Sequence, residues 1–237
     1  MAKATAERVA AAGGNVAILD RPTSAGSAVA EAIGGSFHAC DVIDFDGTET
    51  AIAEGVSALG GLDAVVNTAG GGRPGRTLSR TGPLPLEEFR ETIELNLIAT
   101  FNVARLAAWH MSANEPNADG ERGVIINTSS IAAFEGQIGQ IAYTAAKAGI
   151  AGMSLTMARE LGSLGIRVTA IAPSLFATGI TAGISRDGEA RLTRDAAFPK
   201  RQGRPDEYAQ LAVAIIENPM LNGDTIRLDA GTRFAPR

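Results

Sequence analysis

Apolar positions along this chain fall into two alternating patterns. Short, mostly unbroken runs occur at Val16-Ala17-Ile18-Leu19, Leu62-Asp63-Ala64-Val65-Val66, Val124-Ile125-Ile126-Asn127 and Ile166 to Ile171. Their length and β-branched content predict strands buried on both faces, and Ser36 to Ala39 and Thr225 to Leu228 read as weaker members of the set. Between these runs apolar residues recur at helical spacing. The helical stretches are Ala2 to Ala12, stopped by Gly13-Gly14, then about Ser24 to Ile33, about Asp46 to Leu59, a long one from about Leu86 to Ala113, Gln137 to Leu161, and Pro205 to Ile216. Pro116 to Gly120 is a polar loop, and Pro173 to Arg204 reads as irregular.

Strands alternating with helices predict an α/β fold of the doubly wound kind, a parallel sheet with helices on both faces. Ligands of such sheets bind outside the carboxyl ends of the strands, so Asp20, Asp41, Asn67 to Gly70, Ser130 and Pro173 to Thr178 are the positions where function is expected.

Composition narrows the classes. A chain of 237 residues that is 45% hydrophobic suits one packed domain covering 1–237. The formal charge of −5, with signs interspersed, argues against nucleic acid or an anionic membrane as the main partner. Cys40 is the sole cysteine, so no disulfide forms within the chain, and two histidines make no cluster with metal-ligand spacing. No stretch reaches the roughly 18 apolar residues of a membrane span. The expectation is a metal-free, soluble, cytoplasmic protein.

Tyr143 and Lys147 stand four residues apart, one helical turn, so a phenol and an amine project from the same face. Tyrosine titrates near pH ~10, and proton transfer near neutrality needs a shift of roughly three units, about 4 kcal/mol, for which a neighbouring cation is the simplest source. Ser130 lies thirteen residues upstream. Taken singly, each residue has an ordinary explanation. A helical tyrosine packs, a lysine is solvated, Asn96 between Leu95 and Leu97 faces solvent, and Ser130 caps a helix.

Taken in order, Asn67-Thr68-Ala69-Gly70, Asn96, Ser129-Ser130 and Tyr143 with Lys147 resemble the short-chain dehydrogenase/reductase family over nearly the whole chain. The resemblance implies a Rossmann-type, nicotinamide-dependent oxidoreductase. It makes Tyr143 the general acid/base, Lys147 the holder of the nicotinamide ribose and the modulator of Tyr143, Ser130 the hydrogen-bond donor to the substrate oxygen, and Asn96 the holder of a water linking Lys147 to solvent. Asp20 at a strand end would accept from the adenosine ribose and repel a 2′-phosphate, favouring NAD over NADP, although Arg21 beside it would tolerate that phosphate. Asp41 and Val42 would flank the adenine, and Asn67, Thr68, Ala69 and Gly70 would run beneath the ribose. Phe176 and Thr178 would close over the nicotinamide from the loop after Pro173, where Ser174 replaces the family's usual glycine.

Further segments outside the catalytic set resemble the 3-hydroxyacyl-CoA dehydrogenase branch: Gly123 to Gln137, Asn114-Glu115-Pro116, Ile215 to Pro219 with Leu221-Asn222-Gly223, and Ile226 to Asp229. They imply an acyl-CoA thioester as the small-molecule substrate. A 3-ketoacyl carrier-protein reductase, a hydroxysteroid dehydrogenase and a catalytically silent oligomeric scaffold stay open. Family members commonly form a homotetramer through the two long helical stretches and the C-terminal strand region.

One family element is not in this sequence. A strand and a Gly-rich pyrophosphate turn normally precede the helix that here begins at about Ala2, and Gly70-Gly71-Gly72 follows a different strand. The expectation is an N-terminally truncated domain in which the first family strand is absent and NAD binding is weak. Two strand edges would then face a slot roughly 9.6 Å wide, unless the sheet closes up or something else fills it.

Overall fold

Glycines end several of the helices, as Gly13-Gly14 after the first one suggests. The computed structural model describes residues 1–178 and 185–235. Helix α1 (Ala2–Ala11) is followed by β1 (Ala17–Asp20), α2 (Gly26–Ile33), β2 (Ser36–Ala39), α3 (Phe45–Leu59) and β3 (Ala64–Asn67). The α2 and α3 helices stop at Gly34 and Gly60, whose φ angles of 69° and 76° are left-handed and cost a glycine nothing. At the other end of α3, Asp44 caps the first turn by accepting from the Gly47 amide at 3.1 Å.

A small antiparallel hairpin follows, β4 (Leu78–Ser79) and β5 (Gly82–Pro83), then α4 (Leu86–Ile93), a π-helical turn (Glu94–Ile98) and α5 (Ala99–Met111). The remainder is β6 (Gly123–Thr128), α6 (Ile141–Leu161), β7 (Ile166–Pro173), α7 (Arg186–Leu192), α8 (Pro205–Glu217) and β8 (Thr225–Leu228). The chain is thus an α/β protein whose main ladder, β3-β6-β7-β8, is parallel throughout. Strands β6 and β7 are buried at every position. One face of the ladder packs under α5 and α6 through Ala104, Met111, Ile125, Met157 and Val168. The other packs under α8 through Val124, Ile126, Ile171, Tyr208 and Ile215. Each large apolar side chain so buried contributes roughly 1.5–3 kcal/mol.

The sheet is split where the family order places another strand. Strands β1 and β2 pair in parallel with each other, and β1 shares no ladder with β3. Both β1 and β3 are only partly buried. The sheet has therefore not closed up, and helices join its halves. Helix α3 covers β1 and β2 and packs on α5, so Leu19, Val42, Ile52, Val56, Val65, Val103 and Leu106 form one apolar cluster across the split. On the opposite face α1 packs on α8 and α2, and Met1 reaches the cluster that holds Ala64 and Val66.

Three expectations need correction, and one element was not foreseen. The long helix from Leu86 is two α-helices joined by a π turn, because Asn96 there is drawn into tertiary hydrogen bonds that helical periodicity does not encode. The helix carrying Tyr143 begins at Ile141, and residues 137–140 form part of a loop. The stretch from Pro173 to Arg204 contains α7, started by Ser185 accepting from the Gly188 amide at 3.2 Å. The β4–β5 hairpin is too short for an alternation signal.

Candidate active site

The carboxyl end of β6 organises the site. Ser129 Oγ donates to the backbone carbonyl of Lys147 at 2.8 Å, and Lys147 Nζ donates to the carbonyl of Thr128 at 2.8 Å, so strand end and helix α6 are tied twice. Thr128 Oγ1 bonds the Asn67 carbonyl and lies 2.6 Å from the Tyr208 hydroxyl. Asn67 Nδ2 donates to Asn127 Oδ1 at 2.8 Å, which sets the end of β3 beside the end of β6. None of Thr128, Ser129 as a tether, or Tyr208 was singled out by sequence. The Ser129-Ser130 doublet was the one available signal, since two hydroxyls in succession at a strand end face opposite ways.

Ser130 takes the capping role the sequence offered. Its Oγ accepts from the Ala132 amide at 3.2 Å, capping the 3-10 turn Ile131–Ala133. Its side chain also acts on the Tyr143 phenol. Burial pushes the Tyr143 phenol above its ordinary value, and the Ser130 side chain pulls against that rise. Lys147 Nζ sits 5.5 Å from the centre of the Tyr143 ring. Burial lowers the Lys147 amine to about 8. The cation expected to lower the phenol is thus itself weakened by desolvation and is bonded to Thr128.

Asn96 is fully buried, against the solvent-facing alternative. Its Oδ1 accepts from the Gly71 amide at 3.0 Å, while Nδ2 donates to the carbonyls of Gly71 at 2.6 Å and Thr92 at 2.8 Å. Both amide hydrogens are used within the protein, so the side chain straps the Gly71 peptide. One lone pair on Oδ1 remains for the water that the resemblance implies. The strap brings Gly70 so close that a Cβ there would stand 2.7 Å from Asn96 Oδ1 and 3.3 Å from Lys147 Nζ. With φ at +150°, this is a glycine position on two counts.

The cofactor candidates spread along the strand ends. Asp20 and Asp41 are exposed; Asp20 Oδ1 accepts from the neighbouring Arg21 amide at 2.8 Å and Asp41 Oδ1 from Ile43 at 3.3 Å. Val42 lies half-buried against the apolar cluster that joins α3 and α5. Thr68 and Ala69 lead from Asn67 to Gly70, and Pro173 ends β7 in the core. Beyond it, Gly203 donates to the Leu175 carbonyl and accepts from Ala177, both at 2.9 Å. Phe176 is corrected in one respect. Its ring is buried edge-on against Tyr208 with centroids 6.4 Å apart, so the side chain faces the core. Thr178 is partly buried at the end of the described segment.

These residues fit the two ends of a nicotinamide dinucleotide. The Asp20 carboxylate retains acceptor sites for ribose hydroxyls. At the other end, Asn127 Nδ2 is buried beside Asn67 without a partner, and the Lys147 ammonium has two hydrogens beyond the one given to Thr128. A cleft of about 360 Å³ lies between residues 75–78 and residues 136–139, with Ile141 and Thr144, which flank Tyr143 in sequence, on its helical wall. Its two loops are stitched by the Gly75 amide donating to the Gly139 carbonyl at 2.8 Å. Among the described residues no group of His, Cys, Asp or Glu is placed to hold a metal, and no helix is long and apolar enough to cross a membrane.

A hydroxyl, a phenol and a buried amine gathered at the carboxyl ends of a parallel sheet define a Rossmann-type oxidoreductase. A family model described as enoyl-(acyl carrier protein) reductase matches residues 1–233, and the chain belongs to the short-chain dehydrogenase/reductase family. It is 46% identical to 3-hydroxyacyl-CoA dehydrogenase type-2 of Homo sapiens over 237 residues, covering 98% of this chain and 91% of that one. It is 44% identical to the protein of the same name from Drosophila melanogaster over 240 residues, 100% of this chain and 94% of the relative. The crystal structure of 3-hydroxyacyl-CoA dehydrogenase type-2 from Mycobacterium avium superposes with a TM-score of 0.95 at 41% identity, covering 99% of this chain and 92% of that one. A 7α-hydroxysteroid dehydrogenase complexed with NADH and 7-oxo glycochenodeoxycholic acid superposes at 0.85 with 27% identity, covering 99% and 91%.

Proposed function

We propose that this chain is a single-domain, NAD-dependent dehydrogenase that interconverts a 3-hydroxyacyl-CoA and the 3-ketoacyl-CoA. The observation that carries the chemistry is the grouping of Ser130, whose side chain pulls down on the Tyr143 phenol, with Tyr143 and the buried Lys147, whose Nζ lies 5.5 Å from the centre of the Tyr143 ring. Relatives named for 3-hydroxyacyl-CoA, similar over nearly the whole chain, support the substrate class.

In the oxidative direction the Tyr143 phenolate takes the hydroxyl proton of the substrate. Ser130 donates to the substrate oxygen, holding the carbinol carbon in place and stabilising charge that develops as the carbonyl forms. Lys147, protonated, opposes the rise that burial imposes on Tyr143. NAD, when bound, supplies the hydride acceptor, and Asp20, Asn67 to Gly70, Lys147 and the backbone after Pro173 are the groups that would hold it. In reverse, Tyr143 returns the proton to the alkoxide oxygen. Asp20 supports NAD over NADP through its exposed carboxylate.

A second copy of the chain is the expected protein partner. Ile98, Phe101 and Trp109 stand exposed on one face of the α5 region, and Ile141 and Leu155 stand exposed along α6. These exposed apolar side chains support a homotetramer, and a monomeric mass by light scattering contradicts it. The lone buried Cys40 and the net charge of −5 support a cytoplasmic setting, and localisation of a tagged chain to another compartment contradicts that.

The substrate is tested by assaying acetoacetyl-CoA, an acetoacetyl carrier protein and a 7-oxo steroid side by side with NADH and NADPH. Preference for the CoA thioester with NADH supports the proposal. Preference for either competitor, by at least about tenfold in kcat/KM, overturns it.

A further inference from the structure

Between Ser130 and Tyr143 the chain makes the wall of the cleft, and one charged residue in that connection faces away from the chemistry. Glu135 Oε1 lies 2.9 Å from Arg227 Nη2 and 3.4 Å from Arg233 Nε, and its Oε2 accepts from the Phe234 amide at 2.9 Å. The same two guanidinium groups hold Asp229, Arg227 Nε at 2.7 Å and Arg233 Nη1 at 3.2 Å from Oδ2. Arg227 also donates to the Thr232 carbonyl at 3.0 Å and lies 5.5 Å from the centre of the Phe134 ring. Two carboxylates and two guanidinium groups thus close a neutral ring. The Asp229 and Glu135 side chains are only 9% and 19% exposed, so this ring is less screened than surface pairs of median worth.

The other side of the ring is a strained turn. Ala230 has φ of +54°, a left-handed conformation that disfavours a residue with a Cβ. Its carbonyl accepts from the amides of Ala197 at 2.9 Å and Phe198 at 3.2 Å. The turn therefore carries the segment after α7, while Glu135 immediately precedes residues 136–139 of the cleft.

We propose that Glu135 is a positioning residue: through Arg227, Arg233 and Asp229 it locks the 136–139 wall of the cleft to the turn that holds Ala197 and Phe198, so that substrate binding depends on the C-terminal turn. This rests on the reading of Ser130 and Tyr143 as the reacting pair only for its kinetic consequence. The clamp touches neither residue, so its loss acts on the substrate's fit and not on proton transfer.

Glu135→Gln keeps an acceptor for Phe234 and removes the negative charge that faces both guanidinium groups. The expected result is faster amide hydrogen exchange, by about tenfold or more, at residues 136–140 and at Ala197 and Phe198 together, although the two segments are far apart in sequence. With acetoacetyl-CoA, KM rises about tenfold while kcat stays within about threefold and its pH profile is unmoved. Arg227→Lys, which preserves the charge, shows a smaller rise, and it carries both readings should Glu135→Gln fail to fold. Exchange that rises only next to position 135, or a fall in kcat at constant KM, overturns the proposal. If the parent chain reduces no acetoacetyl-CoA, the functional reading fails and the exchange experiment alone decides the clamp.

Discussion

Lys147 Nζ donates to the backbone carbonyl of Thr128 at 2.8 Å from a side chain that is only 3% exposed. The same burial that places the amine beside Tyr143 lowers it to about 8 from an unfolded value of 10.5, so this buried lysine is a thermodynamic burden.

The sign of that burden is testable. Between pH 8 and 10.5 the unfolded chain holds a proton on this lysine that the folded chain has shed, so stability rises with pH across the window. Below pH 8 the full cost remains, about 3 kcal/mol at most. Lys147→Met removes the cost and forfeits the hydrogen bond to Thr128. The variant is expected to gain about 1–2 kcal/mol at pH 7 in urea unfolding, to lose this alkaline slope and to be inactive. A variant less stable than the parent at pH 7 contradicts the burial argument.

Asn96→Ala leaves the Gly71 amide and carbonyl without their partners, as well as the Thr92 carbonyl's side-chain donor. The expected loss is about 2–4 kcal/mol by thermal unfolding, with a raised KM for NAD because Gly70 shifts against Lys147. Unchanged stability would mean that the π turn is set by something other than this strap.

Asp20→Asn removes a charge from an exposed strand end and breaks no distant contact. Stability is expected to stay within about 0.5 kcal/mol while KM for NAD rises roughly tenfold and discrimination against NADP collapses, helped by Arg21. Retained preference for NAD would assign cofactor choice elsewhere.

The positions of the candidate residues were more legible in the sequence than the contacts around them. Tyr143, Lys147, Ser130 and Asp20 could be named because each occupies a fixed offset from a strand end or a helical turn. The π turn at Asn96, the Thr128–Tyr208 contact and the Glu135–Arg227 pair join positions 25, 80 and 92 residues apart in sequence, and no local periodicity records such pairings. Phe176 shows the converse. The resemblance placed the residue correctly at the loop after β7, but Gly203 beside it, where a Cβ would meet the ring at 2.6 Å, decides that the ring turns inward.

The split sheet has its own signature. Strand β1 has a ladder partner on one edge and is only partly buried, whereas β6 and β7 are buried throughout and paired on both sides. Amides of β1 and β2 are expected to exchange at least about tenfold faster than those of β6 and β7. Equal protection across both ladders contradicts a sheet whose halves are joined only by helix packing, α3 on α5 on one face and α1 on α8 and α2 on the other.

The central claim is that Tyr143 moves the proton. NADH-dependent reduction of acetoacetyl-CoA, measured for the parent chain and for Tyr143→Phe with NADH binding followed by fluorescence, tests it directly. The account predicts a fall in kcat of at least about 10³-fold with NADH affinity within about threefold of the parent. A Tyr143→Phe variant that keeps more than about a tenth of the parent kcat would contradict it.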